Sequence, residues 1–283
     1  MNRAKKRTLC LLCLAVLLEA WLHSHLLLGP SATFSAFYPV YNQPVATEHV
    51  LKQFRSVYPD SPVYLFNDGG DRLLKKVAEK YGARYAYRHR HTSYYPVGTH
   101  WNSSGLSRRY VEDLLFVARD SKSDWVIILE DDVEVLSIFD ASKLTHDVNG
   151  KNPDPISWSN EQTDWEKIQE FAKKTRPMQA HAYYSASGGC AIRGSFLRSL
   201  ELSRVYSDLD LLFDAARATN SSEILPSDLI LSFLIQASRG TAGTYQHYAY
   251  HWWPTNTILV PMGFVHVKHG DKSRYQKVKF IAL

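Results

Sequence analysis

The sequence predicts an α/β fold in which a mainly parallel β-sheet is flanked by helices on both sides. First, strand and helix patterns alternate as β-α-β-α-β-α-β between residues 33 and 129, an order typical of parallel sheets. Second, the 283 residues are 45% hydrophobic and 22% charged, which indicates a globular chain rather than a disordered one. Third, that length fits one large domain with a short N-terminal addition, and no internal repeat divides it.

The first half of the chain supplies the regular part of the predicted sheet. Strands are predicted where short apolar runs end in turn residues, and helices where apolar residues recur every three or four positions. The predicted strands are residues 33–38, 62–66, 84–87 and 125–129, and the predicted helices are residues 45–58, 71–81 and 107–119. Pro39 is expected to break the first strand, and residues 88–106 are expected to form a long loop.

The second half is less regular. Residues 140–180 are predicted to be mostly loop, with one amphipathic helix near residues 163–174. Further helices are predicted at residues 194–202 and 226–237. Strands are predicted at residues 183–193, with a break at Gly188 and Gly189, and at residues 244–253 and 258–267. No element is predicted between residues 203 and 225.

The N-terminus predicts a membrane anchor. Residues 1–7 are basic and residues 8–28 are mostly leucine, although the apolar run reaches the length of about 20 residues that a bilayer requires only by including Glu19, His23 and His25. A basic tail favours the cytosolic side of a membrane. The prediction is therefore a cytosolic tail at 1–7, a signal anchor at 8–28 and a lumenal domain at 29–283.

A cleaved signal peptide is the alternative, with a cut after Ala20, although Leu-Glu-Ala is a poor cleavage site. Either interpretation puts the main domain in the secretory lumen, and we expect a single-pass type II protein of the Golgi or ER membrane. Glycosylation acceptor patterns at Asn102 and Asn220 fit that compartment.

Charge and cysteine content exclude two other classes. The net charge is +5, of which the first 28 residues contribute +3, so the remaining chain offers no generally basic face for nucleic acid. Of the three cysteines only Cys190 belongs to the main domain, which therefore is not expected to contain a disulfide.

The strongest chemical signal is a run of three acids at the end of a predicted strand. The apolar residues 125–129 lead straight into Glu130, Asp131 and Asp132. Adjacent carboxylates repel one another and resist burial, and a divalent cation resolves both problems. Hard oxygen ligands suit Mn²⁺ or Mg²⁺, which would neutralise a diphosphate leaving group. The alternative is a solvated acidic turn.

These acids resemble the motif of GT-A glycosyltransferases of the family-two-like kind, in particular the Glu-Asp-Asp variant of some N-acetylglucosaminyltransferases. The resemblance implies a Rossmann-like GT-A fold and a hexosyl- or N-acetylhexosaminyltransferase. Its donor would be a nucleotide sugar, typically a UDP-sugar, and its acceptor a hydroxyl of a glycan, glycoprotein or glycolipid. Asp132 would contact the metal directly, and Glu130 and Asp131 would contact the ribose or metal-bound water.

Two further segments carry the same resemblance. Residues 34–42 and 65–70 are similar to the first two strand–turn units of family-two-like GT-A enzymes, and both turns are expected at the carboxyl edge of the sheet, where α/β folds bind ligands. By this resemblance Asp68 accepts a hydrogen bond from the nucleobase, and Pro39 to Tyr41 frame the base. The alternative for the second segment is a plain tight turn.

Arg108 lies at the start of the helix that precedes the acidic motif. Similar enzymes carry an arginine here that faces the nucleotide, and a planar guanidinium suits a diphosphate. The alternative is a solvated first turn of the helix.

The helix start at Asp228 suggests a catalytic base. Inverting GT-A enzymes place their catalytic carboxylate at an equivalent helix start, after a glycine-bearing acceptor segment that would be residues 185–190 here. The resemblance implies Asp228 as general base, with Glu223 in reserve, whereas the alternative is simple helix capping.

A C-terminal histidine closes the metal site in many GT-A enzymes. His269 is the candidate here and His266 the second choice, since a neutral imidazole binds Mn²⁺. The alternative is a surface histidine.

Two other function classes compete with glycosyl transfer. Another metal-dependent enzyme of nucleotides would also cluster carboxylates, but such enzymes usually add a glycine-rich basic loop after the first strand, and residues 38–41 are not one. A non-catalytic glycan-binding domain of the same fold is the second alternative, against which the intact run of three acids argues.

Overall fold

The structure is a computed structural model. It describes residues 32–88, 100–101, 104–131, 133–150, 154–155, 159–160, 163–176, 183–184, 188–220, 225–245, 249–251, 257–260, 264–267 and 279–282. In this part of the chain no helix is both long enough and apolar enough to cross a membrane. The predicted anchor at residues 8–28 lies outside the described residues and stays a prediction.

The strands and helices are numbered in chain order. The strands are β1 (Phe34–Val40), β2 (Val63–Asn67), β3 (Arg84–Tyr87), β4 (His100–Trp101), β5 (Trp125–Ile128), β6 (Val133–Val135), β7 (Val148–Gly150), β8 (Asp154–Pro155), β9 (Ser159–Asn160), β10 (Thr163–Asp164), β11 (Tyr183–Tyr184), β12 (Ala191–Arg193), β13 (Leu225–Pro226), β14 (Ala242–Thr244), β15 (Ala249–His251), β16 (Thr257–Val260), β17 (Phe264–Val267) and β18 (Lys279–Ala282). The helices are α1 (Pro44–Val57), α2 (Leu73–Lys80), α3 (Ser104–Ser121), α4 (Trp165–Thr175), α5 (Gly194–Ser199), α6 (Leu202–Ala218) and α7 (Ser227–Ala237).

Seven of these strands form the central sheet, in the order β14-β7-β12-β5-β1-β2-β3. Neighbouring strands run parallel except where β12 pairs with β5 and with β7. Phe37 and its neighbours on one face join the core that α3 completes, while Ala36 and Tyr38 on the other face are buried as well. Both faces are therefore covered, and the prediction of a mainly parallel sheet flanked by helices is confirmed.

Strand β1 continues through Pro39, although the sequence analysis expected a break there. The carbonyl of Phe37 accepts a hydrogen bond from the Leu129 N–H at 2.9 Å, on the side of β5. The backbone nitrogen of Pro39, two residues later, points to the same side as the backbone groups of Phe37, but the pairing with β5 ends at Phe37. Its missing N–H therefore removes no ladder hydrogen bond, while β2 stays paired through Val40.

Helix α1 forms because its apolar residues recur on one face. Ala46, Val50, Leu51 and Phe54 are buried, and Pro44 occupies the first turn, where its missing N–H would have no helical partner. The helix follows directly after the turn that ends β1 and packs against β6 and α2.

The second half of the chain departs most from the predicted elements. Helix α6 occupies residues for which no element was predicted, and α3 begins inside the predicted loop at 88–106. The break that Gly188 and Gly189 predict within residues 183–193 is confirmed, since this segment forms two strands, β11 and β12. Residues 244–253 contribute to β14 and β15, and residues 258–267 contribute to β16 and β17. Strand β6 forms a separate three-stranded sheet with β17 and β15.

Candidate functional site

Glu130 and Asp131, two of the three predicted acids, follow β5. The Val133 N–H donates to the Glu130 carbonyl at 3.2 Å, which closes the turn between β5 and β6. Glu130 and Asp131 are half-buried, and Asp132 lies outside the described residues. We call residues 130–133 the acidic turn. Because its ends are fixed by two strands, its carboxylates are presented at the carboxyl end of β5.

Gly188 packs directly against this turn. A Cβ atom added at Gly188 would lie 2.8 Å from both Cδ of Glu130 and Cγ2 of Val133, closer than such atoms can approach. The next residue, Gly189, donates its N–H to the Ile128 carbonyl at 2.7 Å. The predicted acceptor segment at 185–190 thus reaches the acidic turn through its glycines, while its residues 185–187 lie outside the described residues.

A buried tyrosine links the acidic turn to the start of α7. Tyr110 of α3 hydrogen-bonds to Ser227, the first residue of α7. Burial raises the pKa of the Tyr110 phenol well above its ordinary value, and the nearby carboxylates of Glu130 and Asp228 raise it further. Two acids that the sequence analysis assigned to different roles therefore lie close enough to one side chain to shift its pKa. The sequence analysis gave no role to Tyr110.

Asp228 is the second residue of α7 and is half-buried. Its Oδ1 accepts a hydrogen bond from the Leu229 N–H at 2.9 Å, so the carboxylate stays within the first turn of the helix. The preceding strand β13 pairs with β4, which fixes the entry of the chain into α7. Backbone N–H groups and the helix dipole favour a negative charge at this position.

The turns after β1 and β2 are locked together. The Tyr41 carbonyl accepts from the Asp71 N–H at 2.7 Å, and the Val40 carbonyl accepts from the Asp68 N–H at 2.9 Å. A side chain at Gly70 would clash with the Tyr41 carbonyl, so only glycine permits this approach. Pro39, Tyr41 and Asp68 are all half-buried at this edge. The structure therefore brings the three predicted nucleobase contacts together, and their roles stay predictions.

The side chain of Asn67, the last residue of β2, holds the turn that follows this strand. Its side chain accepts from the Gly70 N–H at 2.8 Å and donates to the Asp71 carbonyl at 2.9 Å. The side chain is fully buried, so its hydrogen bonds satisfy groups that water does not reach.

Arg108 contacts α6 in the structure. Its Nη2 lies 2.9 Å and 3.0 Å from the two carboxylate oxygens of Asp210, and its guanidinium stacks 4.7 Å from the ring centre of Tyr206. This ion pair competes with the predicted nucleotide contact, which stays a prediction. Arg88, the residue after β3, is likewise paired: its Nη2 donates to Oδ1 of Asp113 at 2.6 Å.

The chemistry of the acidic turn fits a divalent cation. Carboxylate oxygens are the ligands that Mn²⁺ and Mg²⁺ prefer. Two carboxylate-bearing residues, Glu130 and Asp131, are half-buried next to each other in this turn. Within the described ranges no group of three or more His, Cys, Asp or Glu side chains could hold a metal ion. The two predicted ligands, Asp132 and His269, lie outside those ranges.

Strand β17 connects the C-terminal histidines to this turn. It pairs antiparallel with β6, and His266 is the backbone partner of Val133, the last residue of the acidic turn. The C-terminal end of β17, at Val267, therefore lies at the end of β6 that adjoins the acidic turn. His269 follows two residues later in the sequence. The side-chain roles of His266 and His269 stay predictions.

Comparison with known proteins finds similarity only among solved structures. No family model and no curated protein matches the chain. The galactosyltransferase LgtC, in complex with donor and acceptor sugar analogues, is 14% identical, with 82% of this chain and 86% of LgtC covered and a TM-score of 0.46. S. aureus TarS is 12% identical, with 75% and 35% covered and a TM-score of 0.42. Glucosyl-3-phosphoglycerate synthase from Mycobacterium tuberculosis, in complex with Mn²⁺ and UDP-glucose, is 15% identical, with 76% and 68% covered and a TM-score of 0.34.

These TM-scores are all below 0.5, so the similarity assigns no activity to this chain. The functional argument therefore rests on the arrangement of the chain's own residues.

Proposed function

We propose that the chain is a metal-dependent glycosyltransferase of the GT-A type that moves a sugar from a nucleotide sugar, in particular a UDP-sugar, to a hydroxyl of a glycan or glycoconjugate. The observation that carries the proposal is the position of the acidic turn: Glu130 and Asp131 are half-buried just after β5, a strand parallel to β1, and Gly188 packs against Glu130. Asp228 belongs to a helix start, and both Glu130 and Asp228 lie near enough to the buried phenol of Tyr110 to raise its pKa. One site is thereby supplied with a cation-binding motif and a separate carboxylate.

The acidic turn would serve the donor. Glu130, Asp131 and Asp132, with His269 as a further ligand, are the groups that would hold Mn²⁺ or Mg²⁺. The bound cation would supply positive charge to the diphosphate of the donor. Asp68, with Pro39 and Tyr41, would bind the nucleobase at the neighbouring turns, which are half-buried at the same edge of the sheet.

Asp228 would serve the acceptor as general base. Its carboxylate, whose Oδ1 accepts a backbone hydrogen bond from Leu229, would take the proton of an acceptor hydroxyl as the hydroxyl oxygen attacks the anomeric carbon. The diphosphate leaves from the opposite face of the sugar, so the product has the inverted configuration. A single base is sufficient for this reaction, and no covalent sugar–enzyme intermediate is needed.

The configuration of the product tests the proposal. Purified full-length protein is incubated with UDP-hexoses and UDP-N-acetylhexosamines and a panel of glycan acceptors, and products are detected by mass spectrometry. NMR of the new glycosidic bond should show inversion relative to the donor. Retention would contradict the role of Asp228. Release of a nucleoside monophosphate, with no transferred sugar, would favour another metal-dependent nucleotide enzyme. Binding of the acceptor without turnover would favour a glycan-binding domain.

We further propose that residues 8–28 anchor the chain in the Golgi or ER membrane with the remaining chain in the lumen. The support is the basic tail at 1–7 followed by a leucine-rich run. In sealed microsomes added protease should spare the domain, and carbonate washing should leave it in the membrane. Release of the domain into the soluble fraction would indicate a cleaved signal peptide instead.

A further inference from the structure

A fully buried carboxylate lies directly behind the acidic turn. Glu134 is the middle residue of β6, and its exposed fraction is 0%, as is that of Val133 beside it. A buried carboxylate is costly unless hydrogen-bonded partners surround it. No role in the proposed reaction has been given to Glu134, so the reason for its burial must lie in what it contacts.

Two side chains of α1 hold this carboxylate. Nε2 of His49 lies 3.0 Å from Oε1 and 3.1 Å from Oε2 of Glu134, and Nε2 of Gln53 donates to Oε2. The Oε1 atom of Gln53 also accepts from the Val135 N–H at 3.0 Å. His49 and Gln53 are four residues apart and so share one face of the helix. Side chain and backbone of β6 are therefore both bound to α1.

This contact joins two parts of the proposed donor site. Helix α1 begins just after the turn at Tyr41, and β6 begins where the acidic turn closes on Val133. On its other side β6 is paired with β17. The distance between the acidic turn and the turn at Tyr41 thus depends on the bonds between Glu134 and α1.

We propose that Glu134 is a positioning residue, whose carboxylate, bound by His49 and Gln53, fixes the acidic turn in the orientation that binds the metal and diphosphate. The inference rests on the proposed function. The inference goes beyond the proposed function because it assigns a measurable contribution to metal affinity to Glu134, a residue with no proposed contact to donor or acceptor. Residues that orient metal ligands without binding the metal themselves typically contribute about 10–100-fold to metal affinity.

The test measures the Kd for Mn²⁺ of the full-length protein in the presence of UDP, with the EPR signal of free Mn²⁺ as the readout. Glu134→Gln keeps the size of the side chain and removes its charge. We expect the Kd for Mn²⁺ to rise about tenfold or more, with UDP-dependent binding retained at high metal concentration. Should Glu134→Gln fail to fold, His49→Ala gives the same test, because His49 is 26% exposed and water can reach its place.

Asp208→Asn is the matched control. Asp208 is also 0% exposed and is paired with Arg176 and Arg204, but it belongs to α6 and to neither turn. This substitution should lower the unfolding temperature and leave Mn²⁺ affinity within about twofold of the wild type. If Glu134→Gln weakens Mn²⁺ binding no more than Asp208→Asn does, Glu134 is merely structural and the inference is wrong. If the wild type binds no Mn²⁺ in the presence of UDP, the proposed function itself is wrong.

Discussion

The acidic turn and the start of α7 both carry carboxylates that raise the pKa of Tyr110, but they are built differently. In the acidic turn three acids are adjacent in sequence and follow a buried strand. At the start of α7 a single acid, Asp228, accepts a hydrogen bond from the backbone of its own helix. The first arrangement accumulates negative charge, whereas the second stabilises one charge with N–H groups already present.

This difference separates the two expected roles. A cluster of carboxylates needs a cation to stabilise it, so dependence on a metal should belong to the acidic turn. A single carboxylate at a helix start needs none and can accept a proton. Variants in the two regions should therefore fail in different ways.

The largest effect is expected for Asp132→Asn. Loss of one metal-binding carboxylate should abolish transfer, while the unfolding temperature stays the same or rises because a repelling charge is gone. Transfer assays and thermal unfolding of the same preparation measure both. Full activity in the variant, or in the wild type with excess chelator, would defeat the metal assignment.

The next largest effect is expected for Asp228→Asn. Removing the base should lower kcat by about a hundredfold or more, a typical size for lost general-base catalysis. Affinity for Mn²⁺ and UDP should stay within about twofold, since Asp228 would face the acceptor. Near-normal turnover would mean that Asp228 only caps α7, and a large loss of Mn²⁺ affinity would mean that the two regions share one role.

A smaller effect is expected for Gly188→Ala. The new methyl group would lie 2.8 Å from Cδ of Glu130 and displace that side chain, so the Mn²⁺ concentration for half-maximal activity should rise roughly tenfold, as for other groups that orient metal ligands.

Gly82→Ala is the control for this substitution. It should cost about 1 kcal/mol of stability through its positive φ of 60°, with no effect on metal dependence. An unchanged metal requirement in Gly188→Ala would show that Glu130 does not contribute to the metal site.

The parallel part of the sheet and the acidic turn could be predicted from the sequence, because each apolar run there ends in a recognisable turn. Helix α6 could not. Its buried face includes Asp208, whose partner Arg176 comes from the end of another helix, so the apolar spacing is interrupted. The antiparallel position of β12 between β5 and β7 also depends on contacts between segments far apart in the chain.

The candidate site was predictable only in its separate parts. The sequence indicates acids at Glu130 and Asp228, but their common effect on the pKa of Tyr110 depends on how α3 packs in the fold. The role of Glu134 depends on His49 and Gln53, which precede it by more than 80 residues. The competing contact of Arg108 with Asp210 arises from α6, the helix that the sequence analysis missed.

The smallest effect is expected for Arg108→Ala. If the guanidinium also binds the diphosphate, the donor KM should rise about fivefold, the size of one hydrogen bond of about 1 kcal/mol. Asp210→Asn should not raise the donor KM and should lower it if anything, because it removes the ion pair that competes with the donor for Arg108. An equal rise of KM in both variants would indicate that the pair acts only by holding α3 against α6.

The central claim, a metal-dependent transferase with its metal at the acidic turn, is tested most directly by nucleotide release. Purified full-length protein is incubated with a panel of nucleotide sugars, with Mn²⁺ and with Mn²⁺ plus excess chelator, and the free nucleotide is measured. A metal-dependent transferase should release UDP from at least one UDP-sugar and should lose that release with chelator and in Asp132→Asn. Release that is unchanged by chelator, or no release from any donor of the panel, would contradict the central claim.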